Sequence, residues 1–378
     1  MRIVIAPDSF KGSIGAAAAA RALAAGWHAA RPGDEVIQVP LADGGEGTLD
    51  VLAAAVAGAR WQQARVTGPA GELVDCSWLE LPGGVAVLEL ARASGLPLMT
   101  TLDPLGAHTT GLGEVIGRAL DGGAREIILT LGGSASTDGG TGALAALGAR
   151  FLDGAGRTLP RGGGALRDLA AADLARLRPP PAGGVTALAD VTAPLLGPRG
   201  AAAVFGPQKG ADTSQVAQLD QGLARLAAVL GGDPGAPGAG AAGGTGYGFA
   251  AVWDAQIRPG APELCRIAGL DRALHGAELV ITGEGRYDAT STGGKVAGAV
   301  FAAGAAAGVP AALVAGQVAG HPPAAAAAIS LSELAGSPAA ALAAPARWLR
   351  LAGQRLAGEM DPAHRPGDRA GPHGTADR

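Results

Sequence analysis

The chain contains few aromatic residues, few lysines and only two cysteines. Aromatic residues make up 3% of its 378 residues, too few for the stacked rings that bind single-stranded nucleic acid. The net charge of −4 also argues against a nucleic-acid-binding surface. Cys76 and Cys265 lie far apart and form no CxxC pattern. This spacing fits a reducing compartment and argues against a structural zinc site.

Hydrophobic runs long enough to cross a membrane are also lacking. The alanine runs at 16–20 and 324–328 are too short and too weakly apolar to span a bilayer. The apolar run at 1–6 is too short for a signal peptide, and Asp8 follows it almost at once. We therefore expect a cytoplasmic protein, a monomer or homodimer, without nucleic-acid or membrane partners.

Glycine is the most conspicuous residue that the chain does have. It contains 64 glycines and 26 prolines, a content that approaches that of low-complexity chains. However, 48% of the residues are hydrophobic, which is ample material for a core. The glycines therefore predict many tight loops, as in α/β enzymes that handle phosphate. The length suffices for two ordinary domains or one large one.

Strand and helix patterns alternate at both ends of the chain and predict a parallel sheet. In the N-terminal part they predict a strand at 2–6, a helix at 14–30, a strand at 36–39 and a helix from about Thr48. In the C-terminal part they predict a strand at 278–282, a helix at 296–307 and a strand at 311–315.

The middle of the chain has a different pattern. Short strands near 62–67, 72–80 and 85–91 favour antiparallel or mixed sheet. Further predicted elements are a helix near 111–122, strands at 126–131 and 184–188, a glycine-rich loop at 231–248 and a helix near 262–273. We therefore predict a discontinuous α/β domain of residues 1–62 and 270–355, an inserted α/β domain of residues 63–269, and a disordered tail at 359–378.

The lysines have an unusual distribution. Only three of the 29 basic residues are lysines, and all three lie next to glycine in predicted loops: Lys11, Lys209 and Lys295. Lysine is a compact charge with three donors, and neighbouring glycine lets the main chain approach a ligand, which suits phosphate. One such lysine could be a chance survivor in an arginine-rich chain. Three together favour a shared anion site.

Several loops share one design, in which a strand ends in Gly or Pro and a carboxylate or lysine follows. They supply Asp8 and Lys11; Asp43 and Glu46; Ser134 and Asp138; Asp190; and Glu284 and Asp288, with Lys295 further on. Hydrated carboxylates suit Mg²⁺, and lysines with glycine N–H groups suit phosphate. Together they indicate phosphoryl transfer. The alternative is that such an aspartate caps a helix, which applies most directly to Asp43 and Asp138.

Other common motifs are not supported. Lys295 is followed by Val296, so there is no GxxxxGK[ST] phosphate-binding loop. Residues 238–243 match GxGxxG, but no predicted strand precedes them, so we do not favour a dinucleotide site. The six histidines show no metal-ligand spacing, and Ser134 has no suggestive histidine partner, which argues against a hydrolase.

Long segments of the chain resemble the bacterial type I glycerate kinases, or glycerate 2-kinases. They are IVIAPDSFKG at 3–12, PLADGGEGT at 40–48, LGGSASTDGG at 131–140, VFGPQKGA at 204–211 and TGEGR at 282–286. The resemblance runs in order from residue 1 to about 355. Two of these motifs depart from the family pattern. Thr137 replaces the usual asparagine, and Tyr287-Asp288-Ala289-Thr290 lacks the usual glutamine, so any ligand contact of that glutamine would be absent.

The resemblance implies ATP-dependent, Mg²⁺-assisted phosphorylation of D-glycerate to 2-phosphoglycerate. It also implies a discontinuous flavodoxin-like parallel-sheet domain and an inserted mixed-sheet domain, with the active site in the cleft between them. A kinase of another small hydroxy acid is the nearer alternative, since pocket shape decides the substrate. A non-catalytic sensor of small phosphorylated acids is the more distant one, and the intact carboxylates and lysines disfavour it.

Chemistry and motif position together predict roles for individual residues. As the acceptor of the hydroxyl proton we expect Asp190 or Asp8, and as a catalytic cation Lys11. The predicted glycerate-binding residues are Ser9, Gly132, Gly133, Ser134 and Asp138. The predicted ATP-binding residues are Lys209, Lys295, Gly283, Gly285 and Arg286. The predicted Mg²⁺ ligands are a subset of Asp43, Glu46, Glu284 and Asp288.

Overall fold

The structure of the protein is a computed structural model that describes residues 1–45, 47–288, 291, 295–320, 322 and 324–359. Its strands are β1 Arg2–Ile5, β2 Glu35–Gln38, β3 Arg60–Thr67, β4 Leu73–Leu81, β5 Val85–Glu89, β6 Glu126–Thr130, β7 Arg150–Leu152, β8 Ala171–Asp173, β9 Val185–Leu188, β10 Gln256–Arg258, β11 Leu279–Tyr287, β12 Ala311–Val318 and β13 Ala325–Ser330. Its α-helices are α1 Ala16–Ala30, α2 Thr48–Ala55, α3 Leu90–Ser94, α4 Thr110–Asp121, α5 Thr141–Ala146, α6 Ala201–Phe205, α7 Thr213–Leu230, α8 Ala241–Trp253, α9 Gly260–Ile267, α10 Leu270–Leu274, α11 Val296–Ala307, α12 Leu331–Ala335, α13 Pro338–Ala343 and α14 Pro345–Glu359.

The chain divides into two compact units. As far as their residues are described, unit 1 comprises Met1–Pro40, Leu270–Thr292 and Val300–Arg378, and unit 2 comprises Leu41–Gly269 and Gly293–Ala299. The domain ranges that we expected from the sequence stay a prediction, and residues 360–378 of the predicted tail lie outside the described residues.

Unit 1 is built on a parallel sheet in the order β13-β12-β11-β1-β2. The sheet joins strands from both ends of the chain, which confirms the prediction from the alternating pattern. Ile3, Val4 and Ile5 of β1 are completely buried, as expected for a central parallel strand that is covered on both faces. Helices α1 and α14 pack closely because Gly26 and Gly353 carry no side chain where the opposite main chain approaches.

Unit 2 contains a mixed sheet, as the sequence predicted, and its strand order is β10-β9-β6-β5-β4-β3. Strands β3, β4 and β5 pair antiparallel, whereas β5, β6, β9 and β10 pair parallel. Alternate residues of the central strands belong to different hydrophobic clusters. Ile127 and Leu129 pack into one cluster and Ile128 into the other, so apolar residues cover both faces of the sheet.

The prediction of a continuous loop at 231–248 is wrong for its second half, which belongs to helix α8. The helix contains left-handed residues at 242–244, and its glycines pack directly against the main chain of the loop at 136–140. A side chain at Gly243 would collide with the carbonyl oxygen of Ser136, and one at Gly248 with that of Gly139. These glycines allow close packing, so the high glycine content of the segment wrongly indicated a loop.

Two further boundaries differ from the predictions. The single helix expected at 262–273 is divided into α9 and α10, with Gly269 between them in a left-handed conformation at φ +78°. Strand β11 extends through Tyr287 instead of ending at Thr282. Gly283 and Gly285 permit this extension, since side chains there would press against the neighbouring main chain at Val314 and Lys11.

Candidate active site

The predicted residues of unit 2 lie where its parallel strands end. Strands β6, β9 and β10 are neighbours, and their carboxyl ends lead into the loops that carry Gly132, Asp190 and Gly260. The Asp190 carboxylate accepts a hydrogen bond of 3.1 Å from the N–H of Gly260. A side chain at Gly260 would collide with the main-chain oxygen of Asp43. Asp43 and Asp190 therefore both lie next to Gly260.

Gly132 completes this group. A Cβ atom at Gly132 would lie 3.2 Å from the Cα atom of Gly45, so the loop after β6 lies against the loop that contains Asp43. The Asp43 carboxylate accepts a hydrogen bond of 3.1 Å from the N–H of Gly45, which holds that loop in a turn. Gly132, Gly133 and Asp190 are exposed, whereas Asp43 is half-buried. Exposed main chain and a carboxylate thus occur side by side at this edge of the sheet.

Asp138 lies deeper in unit 2 and is completely buried. Its carboxylate accepts hydrogen bonds from the N–H and hydroxyl of Thr109 at 2.9 and 2.8 Å. It also accepts hydrogen bonds from the N–H groups of Gly140 and Gly142 at 3.2 and 3.1 Å. This arrangement joins the loop after β6 to the first turns of α4 and α5. Such contacts are those of a residue that holds the loop in place.

Lys209 is also buried, with 2% of its surface exposed. Its ammonium group donates a 2.8 Å hydrogen bond to the Ser134 hydroxyl and another to the main-chain oxygen of Ser136. Burial lowers the pKa of Lys209 to about 7, and the Asp138 carboxylate opposes part of that shift. The other two lysines have different surroundings, since Lys11 is exposed and Lys295 half-buried.

In unit 1 the predicted residues follow β1, lie within β11 or come directly after β11. The N–H of Asp8 donates a 2.8 Å hydrogen bond to the Gly283 carbonyl, which continues the pairing of the two strands beyond β1. The Asp8 carboxylate accepts a 2.6 Å hydrogen bond from the N–H of Ser9. Asp8 is buried and Ser9 half-buried, so this turn is tightly held.

The second part of β11 carries the charged residues of the late motif. Glu284 is buried, whereas Arg286 is exposed and forms an ion pair of 3.6 Å with Asp288. Gly285 lies close to the main chain of Lys11. Burial raises the pKa of Tyr287, and the nearby Glu284 carboxylate raises it further. The predicted residues Asp8, Lys11, Glu284 and Asp288 thus belong to one region of unit 1.

Part of the predicted site cannot be placed. Glu46, and the positions 289 and 290 where the usual glutamine is lacking, lie outside the described residues. Within the described part of the chain, no three histidine, cysteine or carboxylate side chains form a group that could hold a metal ion. Nor does any helix of that part combine the length and apolarity needed to cross a membrane.

Comparison with known proteins decides the family. The sequence profile of the Glycerate kinase family matches residues 3–361. The chain belongs to the glycerate kinase family. It is 43% identical to the glycerate 2-kinase of Escherichia coli K12 over 305 residues, covering 78% of this chain and 80% of that protein. It is 41% identical to the glycerate kinase of Bacillus subtilis 168 over 330 residues, covering 84% and 85%.

A solved structure shares the fold. The crystal structure of a Salmonella typhimurium LT2 protein, provisionally named glycerate kinase 2, matches with a TM-score of 0.85 and 37% identity. The match covers 95% of this chain and 98% of that one. Together these findings confirm the expected α/β fold and the expected activity of a glycerate kinase, a phosphotransferase that acts on an alcohol group and uses ATP.

Three residues of this glycerate kinase position the candidate site but were missed in the sequence. Gly260 follows a proline, and Thr109 precedes a helix, both of which are ordinary helix-start signals. Glu89 ends β5 and accepts hydrogen bonds from the N–H of Leu49 at 3.0 Å and from Arg92 at 2.6 Å. It thereby holds the start of α2, just after the loop that carries Asp43. The feature of the sequence that could have identified Glu89 is a carboxylate at the end of a buried strand.

Proposed function

We propose that the protein transfers the γ-phosphoryl group of ATP to the 2-hydroxyl of D-glycerate, forming 2-phosphoglycerate, in the cytoplasm. Membership of the glycerate kinase family provides the reaction class. The E. coli relative is named glycerate 2-kinase, which supports transfer to the 2-hydroxyl. The buried Cys76 thiol, whose pKa burial raises to about 12, is unreactive and compatible with a reducing compartment.

The observation that carries the proposal is that Asp43 and Asp190 meet at Gly260, while Gly132 lies against the loop that contains Asp43. A small hydroxy acid has two features to recognise, a carboxylate and an adjacent hydroxyl. Exposed glycine main chain can receive a carboxylate through N–H groups. An exposed aspartate can accept a hydroxyl proton. Both are present at this edge of the sheet.

We assign glycerate binding to Gly132, Gly133 and Ser134, with the buried Asp138 holding their loop. Asp190 orients the attacking hydroxyl and accepts its proton. We prefer Asp190 to Asp8 because Asp190 is exposed, whereas Asp8 is buried. In kinases an acceptor of this kind acts mainly by positioning the nucleophile.

The remaining candidates suit the phosphates of ATP. Lys11, Lys295 and Arg286 supply positive charge, and each is at least partly accessible. Ser9, Gly283 and Gly285 belong to the region where the segment after β1 pairs with β11, and the two glycines let the neighbouring main chains approach closely. We propose that these residues hold the phosphates and neutralise the charge that develops during transfer.

The residues present fit a Mg²⁺ ion that arrives with ATP. The described residues contain no group of three candidate ligands. Mg²⁺ commonly keeps several waters and binds through one or two carboxylates together with substrate phosphates, so such a group is not required. Half-buried Asp43 and Asp288 are suitable carboxylates, with buried Glu284 as a further candidate and Glu46 outside the described residues. The ion would neutralise phosphate charge.

An ADP-release assay with D-glycerate, L-glycerate, tartronate and lactate tests the proposed function. We expect turnover with D-glycerate and much less with the other acids. Phosphorus NMR of the product should show 2-phosphoglycerate. A product that is only the 3-phospho isomer would contradict the proposed position of transfer. Strong preference for tartronate or lactate would favour the kinase of another hydroxy acid, and no turnover with any acid would favour the sensor.

A further inference from the structure

The ammonium group of Lys209 is enclosed by protein atoms. Only 2% of the residue is exposed, and its Nζ atom donates hydrogen bonds to the Ser134 hydroxyl and the Ser136 carbonyl. A lysine that holds a phosphate needs donors that point to the ligand. Two of the three donors of Lys209 are directed to atoms of its own protein and the residue is buried, so it is poorly placed for the phosphate contact that the sequence suggested.

The direction of the bond to Ser134 has a chemical consequence. In the protonated form of Lys209 the ammonium group donates hydrogen bonds and accepts none, so the Ser134 oxygen is the acceptor in this pair. A serine hydroxyl has one hydrogen, which remains available for a second partner. With its oxygen engaged by Lys209, Ser134 is set up to donate that hydrogen. Ser134 is 8% exposed and follows directly after the exposed Gly132 and Gly133.

The rest of the loop is firmly anchored. The N–H of Leu96 donates to the Gly133 carbonyl at 2.8 Å, and the N–H of Ala135 donates to the Ser94 carbonyl at 3.0 Å. Ser134 therefore lies between two main-chain anchors, and Lys209 fixes its side chain from the interior. A donor held in place in this way loses little conformational entropy when it meets an acceptor.

We infer that Lys209 is a positioning residue that fixes Ser134 as a hydrogen-bond donor to the carboxylate of the hydroxy-acid substrate. The inference rests on the proposed function, because it names the group that the loop recognises. Burying an ammonium is costly, as the lowered pKa of Lys209 indicates, and the nearby Asp138 offsets part of that cost. When Lys209 is protonated, its positive charge also favours an anion close to Ser134.

Ser136 provides a matched control for Ser134. Both are serines of the same loop, but the Ser136 hydroxyl is buried and has no hydrogen-bond partner within the described part of the chain. Removing it leaves the carbonyl that Lys209 contacts in place. Ser134→Ala should raise the KM and the calorimetric Kd for D-glycerate about 10-fold or more, the effect of one hydrogen bond to a charged group. The KM for ATP should change less than about twofold, and Ser136→Ala should change neither constant by more than about twofold.

Lys209→Met tests the indirect role. We expect it to weaken D-glycerate binding by about as much as Ser134→Ala, and the double variant to be no weaker than the more affected single variant, because both changes remove the same donor. A raised KM for ATP with an unchanged KM for D-glycerate in Lys209→Met would overturn the inference in favour of phosphate contact.

Equal effects of Ser134→Ala and Ser136→Ala on the KM for D-glycerate would overturn the inference too. These two variants provide the test if Lys209→Met fails to fold. Absence of D-glycerate turnover in the unmodified protein would instead refute the proposed function, and the inference with it.

Discussion

At the scale of single residues, one substitution can separate the proposed catalytic role of Asp190 from its structural contact with Gly260. Asp190→Asn keeps an oxygen that can accept the hydrogen bond from Gly260 but removes the negative charge. If Asp190 accepts the hydroxyl proton, the turnover number should fall by roughly 10²–10⁴. The melting temperature should change by no more than a few degrees. Steady-state kinetics and thermal unfolding of one preparation measure both quantities.

The control for this prediction is Asp190→Ala, which removes the charge and the acceptor together. It should show the same loss of turnover and a lower melting temperature. An Asp190→Asn protein with normal turnover and reduced stability would assign Asp190 a structural role, that of holding the start of α9.

Asp34 gives unit 1 a dependence on acid pH. Burial by itself would raise the pKa of Asp34, but hydrogen bonds from Arg31, the N-terminal amine of Met1 and Trp27 outweigh it and lower the pKa to about 2. The folded pKa is below the ordinary value of 3.8, so the folded state favours the charged carboxylate. Its stabilisation is fully present above about pH 4 and is lost as the pH falls towards about 2.

We therefore expect Asp34→Asn to lower the free energy of unfolding at pH 7 and to flatten its decline between about pH 4 and 2. Chemical denaturation across this pH range measures the effect. Asp153→Asn is a suitable comparison, because Asp153 lies in unit 2 and its pKa is lowered by hydrogen bonds of an exposed turn. Identical pH profiles for the unmodified protein and Asp34→Asn would contradict this account.

At the scale of elements, helix α8 supports the loop that carries Ser134 and Asp138. Gly243 is left-handed, at φ +64°, and a Cβ atom there would lie 2.6 Å from the Cα atom of Thr137. Gly243→Ala therefore adds both backbone strain and a main-chain clash, and should lower the free energy of unfolding by about 2 kcal/mol or more. Equilibrium denaturation measures this loss, and the KM for D-glycerate should rise because the loop must shift.

Gly117→Ala is the matched control for Gly243→Ala. Gly117 lies inside helix α4 of the same unit, and its added Cβ atom would meet no atom closer than 3.7 Å. It should be neutral or increase stability by about 0.5–1 kcal/mol, since alanine is the better helix former. If the two variants were equally stable, close packing of α8 would not be the reason for its glycines.

At the scale of the whole molecule, we expect removal of Mg²⁺ to abolish activity and to leave the melting temperature nearly unchanged. The described residues contain no group of three candidate metal ligands, and Mg²⁺ is expected to bind mainly with ATP. Chelation by EDTA should therefore abolish turnover, and excess Mg²⁺ should restore it. The melting temperature of the protein without ATP should stay within about 1–2 °C, because no metal-bound folded state is lost. A large drop in melting temperature on chelation would instead indicate a resident structural metal.

Several features of the protein could be predicted from its sequence. The apolar runs of β1, β6 and β11 are short, are followed by glycine or proline and alternate with helix patterns, so their pairing into parallel sheets was foreseeable. The candidate residues were foreseeable for a related reason. Gly132 and Asp190 belong to loops that follow neighbouring strands of one sheet, and the loops at the carboxyl ends of parallel strands meet at one edge. Asp43 follows β2 of the other sheet, so its contact with this group was not foreseeable in this way.

What each residue contacts depended on the tertiary structure. The glycine-rich sequence of α8 resembles that of a loop. Its glycines contact the main chain at 136–140, which is far away in the chain, so the local sequence does not indicate this packing. In the same way, Lys11, Lys209 and Lys295 share glycine neighbours, yet one is exposed, one buried and one intermediate. Local sequence determined where most strands and loops lie along the chain and which chemical groups the loops carry. Burial and hydrogen-bond partners arise from contacts between distant segments, so only the folded chain decided that Lys209 faces Ser134 and that Asp190 faces Gly260.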